Sequence, residues 1–329
     1  MSNIIMKVEN VSKHFSIKSK KLFEHPKELI AVNNVSFDVY KGETLGIIGE
    51  SGSGKSTLGK CMINMTPLTK GDIIYKDTVL NELPEKSMRS MRKEIQVIFQ
   101  DPYSSLDPRK TAGYLIEEPM IIHNMYSPEE RKEKVIELLK LVGLNESHSI
   151  RYPHEFSGGQ RQRINIARAL ALNPEIVLAD EPVSALDVSV QAQVINLMKD
   201  LQTKLGLTYV FISHDLSVVK YISDRIAIMY LGKIVEIGDA KTIYKDPKHP
   251  YTKALFSAIP TENPLESKKK IHLSGEVPSP IDLPEGCSFA TRCPNATEKC
   301  RTISPELINI NENHKVSCFM VEECLEKAL

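Results

Sequence analysis

Short apolar runs alternate with amphipathic stretches along most of this chain. Residues 4–15 (IIMKVENVSKHF) and 30–39 (IAVNNVSFDV) space their apolar side chains as half-buried strands do. The segment between them, KSKKLFEHPKE, is polar and mixed in charge and predicts a surface loop. Residues 44–48 (TLGII) form an uninterrupted apolar run, the pattern of a buried strand. That run leads into a glycine-rich turn and then TLGKCMINM, a predicted helix. Residues 127–142 (SPEERKEKVIELLKLV) form an amphipathic helix, with Ser127 as cap, Pro128 in its first turn and Gly143 beyond its end. A second helix is predicted from Gly158 to Leu172, and residues 176–179 (IVLA) and 208–212 (TYVFI) are further short strands. Strands that alternate with helices in this way predict an α/β layered fold. Near 258–280 the composition shifts, with Pro260, Pro264 and Pro278 around a run of lysines. A boundary there divides the chain into residues 1–257 and 258–329. No internal repeat is visible.

The turn after the third strand carries chemistry. Gly49-Glu50-Ser51-Gly52-Ser53-Gly54-Lys55-Ser56 satisfies G-x-x-x-x-G-K-[ST] at every fixed position, between a predicted strand and a predicted helix. The glycines let backbone N–H groups wrap phosphate oxygens, and the helix N-terminus adds partial positive charge. Lys55 is placed to reach the β- and γ-phosphates, Ser56 to ligate Mg²⁺ through its hydroxyl, and Thr57 to support the α-phosphate. The apolar strand Ile176–Ala179 ends in Asp180 and Glu181. In nucleotide-hydrolysing proteins with this loop, such a strand delivers an aspartate to Mg²⁺. Asp180 suits that role, directly or through a water, and Glu181 suits a general base acting on water.

Composition narrows the class. Lys+Arg and Asp+Glu each number 42, a net charge of zero, which disfavours binding to nucleic acid through a general electrostatic field. No run of 18 uncharged apolar residues occurs, and the N-terminus lacks the basic start and apolar block of a secretory signal. The simplest expectation is a cytosolic chain. Six cysteines do not make a disulfide scaffold, yet five of them crowd between positions 287 and 324. Cys287, Cys293, Cys300 and Cys318 suit Zn²⁺, an iron–sulfur cluster or unligated thiols, and the spacing lacks the CxxC pairs of most zinc ribbons. Cys61, on the helix after the loop, reads as packing, and Cys324 as a bystander.

Just before the acidic strand stands Phe156-Ser157-Gly158-Gly159-Gln160-Arg161-Gln162-Arg163. This sequence resembles the signature of ATP-binding-cassette (ABC) ATPases. The rest of that family's pattern follows in order over residues 1–240. Gln100 matches the Q-loop, Ser184-Ala185-Leu186-Asp187 the D-loop, and His214 in FISHD the switch histidine. Phe15 sits where the family places an aromatic that stacks on adenine, although alone it would read as a core residue. The resemblance implies a P-loop NTPase (RecA-like) core with an ABC β-subdomain and a helical subdomain at about 101–165. It also implies a head-to-tail pair of cassettes that sandwiches two ATP molecules. Ser157, Gly158, Gly159, Gln160 and Asp187 would then serve the partner's nucleotide, Glu181 and His214 the hydrolysis, and Gln100 the Mg²⁺ and the attacking water.

Further motifs resemble one branch of the family. Asp101-Pro102-Tyr103-Ser104-Ser105-Leu106-Asp107-Pro108-Arg109, Glu118-Pro119, Tyr152-Pro153-His154-Glu155 and His249-Pro250-Tyr251-Thr252-Lys253-Ala254-Leu255 look like the ATP-binding subunits of oligopeptide and dipeptide importers, which also energise some nickel importers. The sequences around Glu181 and Ser157 resemble the F-type subunit of such systems more than the D-type. Asp107 stands where the pattern often has Asn. The implied partners are a D-type ATPase subunit, two permease subunits and, through the permease, an extracytoplasmic binding protein. The implied place is the cytoplasmic face of the membrane. Tyr103, Leu106 and Tyr114 are expected near the permease, or, for Leu106, in ordinary core. The tail around Cys287, Cys293, Cys300 and Cys318 resembles the C-terminal extension of these ATPases, where a [4Fe–4S] cluster occurs in some members. That favours iron–sulfur over zinc and a structural role for a short appendage with little core of its own. The competing functions are a soluble ABC ATPase in DNA repair or translation, which the motifs disfavour, and a redox- or metal-sensing tail, which can coexist with transport.

Overall fold

The computed structural model describes residues 3–17, 27–259 and 270–326. Residues 18–26 of the loop predicted at 18–28, and Pro260 and Pro264 of the predicted boundary, lie outside them, whereas Lys27 and Glu28 of that loop open a strand. The chain forms two compact units, each discontinuous in sequence. One holds residues 40–43 and 82–213, and the other holds 3–39, 44–81 and 214–329. No helix among the described residues is long and apolar enough to cross a membrane.

The second of these units contains a four-stranded antiparallel sheet in the order Lys27–Tyr40, Ile4–Ile17, Lys70–Tyr75, Thr78–Val79. Met6 faces Tyr75 and Val8 faces Ile73 across it, and a bulge falls between Glu9 and Ser12. Met6, Val8 and Val11 are buried, as is Ser12, while Lys7, Glu9 and Asn10 are exposed. In the same unit Thr44–Ile48 runs parallel to Arg225–Tyr230, which pairs antiparallel with Lys233–Asp239. All five residues of Thr44–Ile48 are buried, as its unbroken apolar run requires.

The C-terminal extension has a core, but shares it. A hairpin of Ile308–Asn311 and His314–Val316 adds to Lys233–Asp239, with Glu236 opposite Val316 and Gly238 opposite His314. A Cβ at Gly238 would lie 2.4 Å from the Asn313 carbonyl oxygen, so this register needs glycine. His314 Nε2 lies 2.7 Å from Glu236 Oε1, and both side chains are buried. Glu236 also accepts from the backbone N–H groups of Lys248 and His249. Burial pushes the His249 imidazole down to about 4, against the pull of Glu236, so it is neutral near pH 7. Its Nδ1 then accepts from Tyr251 N and caps the helix Pro250–Ser257.

The other unit holds a parallel sheet of Ile95–Ile98, Ile176–Asp180 and Thr208–Ile212, with Ile98 beside Ala179 and Ala179 beside Phe211. Its helices include Ala112–Ile122, Pro128–Leu141, Gly158–Leu170 and Val188–Leu205. Pro128–Leu141 starts as its sequence predicts. Ser127 Oγ accepts from Glu130 N, Glu130 Oε2 accepts from Ser127 N, and Gly143 follows at φ 74°. The helix expected to reach Leu172 stops at Leu170, and Asn173 takes a left-handed φ of 52° that turns the chain into the next strand.

Candidate active site

The phosphate loop joins the strand Thr44–Ile48 to the helix Lys55–Met62, which begins two residues before the expected start at Thr57. Gly49, Gly52 and Gly54 have φ of 157°, 76° and 101°. A Cβ on Gly54 would meet the Ala31 carbonyl oxygen at 2.1 Å, whereas one on Gly52 meets nothing within 4 Å. The Lys55 ammonium is buried and turned into the loop. It donates to the Gly49 carbonyl at 2.8 Å and the Glu50 carbonyl at 2.9 Å. Ser56 and Thr57 sit in the helix's first turn. The first backbone N–H groups of an α-helix have no partner within the helix itself, which makes such an end suited to a polyphosphate. Phe15, in the same unit, is 40% exposed and carries the Lys13 ammonium 4.8 Å from its ring centroid. It is therefore not a core residue, and an exposed ring suits stacking on a base. His214 follows the strand Thr208–Ile212 and is also exposed, and Asp215 next to it caps the helix Leu216–Ile222.

The other unit groups the acids and the signature. Asp180 closes the buried strand Ile176–Asp180. Glu181 follows at φ 48°, a left-handed conformation uncommon for a side chain of this size. Its N–H donates to the Ile212 carbonyl, and Ser184 Oγ donates to its carbonyl at 3.0 Å. Those bonds hold the turn and aim the carboxylate, which accepts from Gln100 Nε2 at 2.9 Å. The structure thus brings together Gln100 and Glu181, which are 81 positions apart. Ser157 caps Gly158–Leu170 in a reciprocal box, its Oγ accepting from Gln160 N and its N–H donating to Gln160 Oε1 at 3.0 Å. Gly159 packs against Val190, whose Cγ1 would lie 2.3 Å from any Cβ added there. Asp187 caps Val188–Leu205, and hydrogen bonds from the Ser189 hydroxyl and the Val190 N–H hold its carboxyl below the usual range.

The segment 101–109 is fastened to the signature helix. Asn165 Nδ2 donates to Ser105 Oγ at 2.9 Å, Arg168 Nη1 donates to the Ser105 carbonyl, and the Arg161 guanidinium lies 4.0 Å from the Tyr103 ring centroid. Leu106 is core, as the plainer of its two readings expected, while Tyr103 is 61% exposed and Tyr114 is also on the surface. These fastenings escaped the sequence reading because no local pattern links Ser105 to a helix some sixty residues away.

In the unit with the phosphate loop, Cys287, Cys293, Cys300 and Cys318 line one cavity and are all free thiols. Burial pushes the Cys287 thiol up to about 11 and raises Cys293 and Cys318 as well. These three are protonated near pH 7, so ligation has to displace protons. Among the described residues, no group of three or more His, Cys, Asp or Glu is arranged to hold a metal ion. Cys61 is buried and Cys324 exposed, as expected.

A strand–loop–helix phosphate site, an acidic strand and a signature helix on an α/β scaffold define an ATP-binding cassette. Residues 32–184 match the family model described as ABC transporter, and residues 235–300 match that of the oligopeptide/dipeptide transporter C-terminal region. The chain is 53% identical over 319 residues to the oligopeptide transport ATP-binding protein AppF of Bacillus subtilis, covering 96% of this chain and 97% of that one. It is 50% identical to the dipeptide transport ATP-binding protein DppF of Haemophilus influenzae, covering 95% of each. Among solved structures, the dimeric bacterial ABC transporter cassette MJ0796 superposes with a TM-score of 0.63 at 33% identity, covering 71% of this chain and 98% of that one. This chain belongs to the oligopeptide and dipeptide transport ATP-binding proteins of the ABC family, and its cassette is an ATPase subunit.

Proposed function

We propose that this chain hydrolyses ATP to drive uptake of oligopeptides or dipeptides through a separate membrane permease in a binding-protein-dependent ABC transporter. The observation that carries this reading is near-full-length identity to peptide transport subunits, including their C-terminal region. Residues 1–257 form the ATPase domain, with a helical subdomain at about 101–165, and 258–329 the extension. The chain works as the F-type half of a heterodimer with a D-type subunit. It docks peripherally on the cytoplasmic face against two permease subunits, which receive cargo from an extracytoplasmic binding protein.

Each residue has a task. Phe15 stacks on adenine. The backbone of Gly49, Ser51, Gly52, Ser53 and Gly54 and the Lys55 ammonium hold the β- and γ-phosphates, and Thr57 the α-phosphate. Ser56, Gln100 and Asp180 would hold Mg²⁺, which when bound would supply positive charge to offset that of the phosphates. Glu181 takes the proton of the attacking water, and His214 supports the γ-phosphate. Ser157, Gly158, Gly159, Gln160 and Asp187 meet the partner's nucleotide, so ATP closes the pair and hydrolysis opens it.

Uptake in cells whose only change is Glu181→Gln tests the reading. Loss of di-, tetra- or hexapeptide uptake is expected, and its length profile names the cargo class. Loss of Ni²⁺ uptake alone would assign the chain to a nickel importer instead. Normal uptake of every solute would overturn the transport reading.

We further propose that Cys287, Cys293, Cys300 and Cys318 are the donor set of a [4Fe–4S] cluster, with Zn²⁺ as the alternative. Four free thiols facing one cavity support it, and thiolate is the donor both groups prefer. The full-length protein purified without oxygen should absorb broadly near ~400 nm and carry bound iron. Bound zinc with no such band selects the alternative, and neither metal removes the proposal.

A further inference from the structure

The C-terminal extension reaches the phosphate loop through one side chain. Arg292 Nη1 donates to Glu50 Oε1 at 3.2 Å and Oε2 at 3.0 Å, and to Tyr230 Oη at 3.4 Å. The Arg292 side chain is only 10% exposed. Glu50 is the second residue of the phosphate loop, and its backbone is tied on both sides. Its N–H donates to Tyr251 Oη at 3.0 Å, and its carbonyl accepts from the Lys55 ammonium at 2.9 Å. The arginine is itself fixed: its N–H donates to the Phe289 carbonyl at 3.0 Å. Phe289 packs edge-on to Tyr230, with ring centroids 5.3 Å apart, and lies 5.4 Å from Tyr251. An unbroken set of contacts therefore runs from the extension to the residue whose carbonyl holds the loop's lysine.

A carboxylate within a loop built to receive polyphosphate is unfavourable, because it repels the ligand and competes for Lys55. The partly buried guanidinium cancels that charge and draws the side chain toward Tyr230. We infer that Arg292 is a positioning residue of the nucleotide site: it neutralises Glu50 and fixes the Glu50 backbone that presents Lys55. The inference rests on the reading of residues 49–56 as the ATP site.

The test is titration of the full-length protein with a fluorescent ATP analogue and Mg²⁺. Saturable binding by the wild type supports that reading independently, and failure of the wild type to bind sinks both. With wild-type binding in hand, Arg292→Met is expected to weaken affinity about 10-fold, because it keeps the stem's packing and unpairs Glu50. Adding Glu50→Gln to Arg292→Met should restore affinity to within about 3-fold of the wild type, a rescue that lost packing alone does not give. Two results overturn the inference: an Arg292→Met protein within about 2-fold of the wild type, or a double variant as weak as the single one. If Arg292→Met fails to fold by thermal melt, Arg292→Lys takes its place, with a smaller loss repaired by the same second substitution.

Discussion

Glu181→Gln is expected to lower ATP turnover about 1,000-fold while the protein still binds ATP, the size of effect that removal of a well-placed general base produces. The substitution is nearly isosteric, so the turn that aims the side chain should survive. The Glu181 N–H to Ile212 carbonyl bond and the Ser184 Oγ bond both involve backbone. Gln100 Nε2 can still donate to the oxygen of the new amide, as it does to Glu181 Oε2 at 2.9 Å. What disappears is the basic oxygen, and an amide cannot take a proton from water. The positive φ of 48° at Glu181 is retained by Gln at a similar cost, so stability should change little. Phosphate release by the full-length protein, set beside binding of a fluorescent ATP analogue, checks the claim. Turnover within about 10-fold of the wild type would move the base elsewhere.

Gly54→Ala should damage the phosphate loop severely. Gly54 has φ 101°, and the new Cβ would stand 2.1 Å from the Ala31 carbonyl oxygen, a backbone atom that cannot rotate away. The strained φ alone costs on the order of 1–3 kcal/mol, and the clash adds to it by moving either the loop or the strand Lys27–Tyr40. Loss of ATP-analogue binding by about 100-fold, with a lowered melting temperature, is the expected result. Gly52→Ala is the internal control. Gly52 also has positive φ, 76°, but nothing lies within 4 Å of its Cβ position, so only backbone strain of about 1 kcal/mol remains. Equal damage from the two variants would mean that conformation, not the close approach of Ala31, governs the loop.

Arg292 adds a different constraint on the same loop, since it acts through charge from some 240 positions away. The three residues divide the work by kind. On the proposed reading Glu181 performs chemistry, Gly54 permits the backbone path, and Arg292 balances a carboxylate that the path brings inward. Their expected signatures separate accordingly, into turnover, stability with binding, and binding that a second charge change repairs.

Local patterns carried much of this protein. The strand Thr44–Ile48 and the strand Thr208–Ile212 have the bounds their apolar runs predict. The box at Ser127 and the cap at Ser157 form because hydroxyl and N3 side chain lie within one turn of each other. The phosphate loop, the acidic pair Asp180-Glu181 and the SGGQ signature were legible because each needs fixed residue types at short, fixed spacing. Only tertiary structure decided the rest. It put Phe15 on the surface and Leu106 in the core, two apolar residues that sequence spacing cannot tell apart. It set Gln100 against Glu181, tied Ser105 to Asn165 and Arg168, and laid the His314–Val316 strand beside Lys233–Asp239. It also brought Arg292 to Glu50. The physical reason is range: caps, turns and phosphate loops are closed by neighbours in the chain, while burial and charge pairing depend on which distant segments the core draws together.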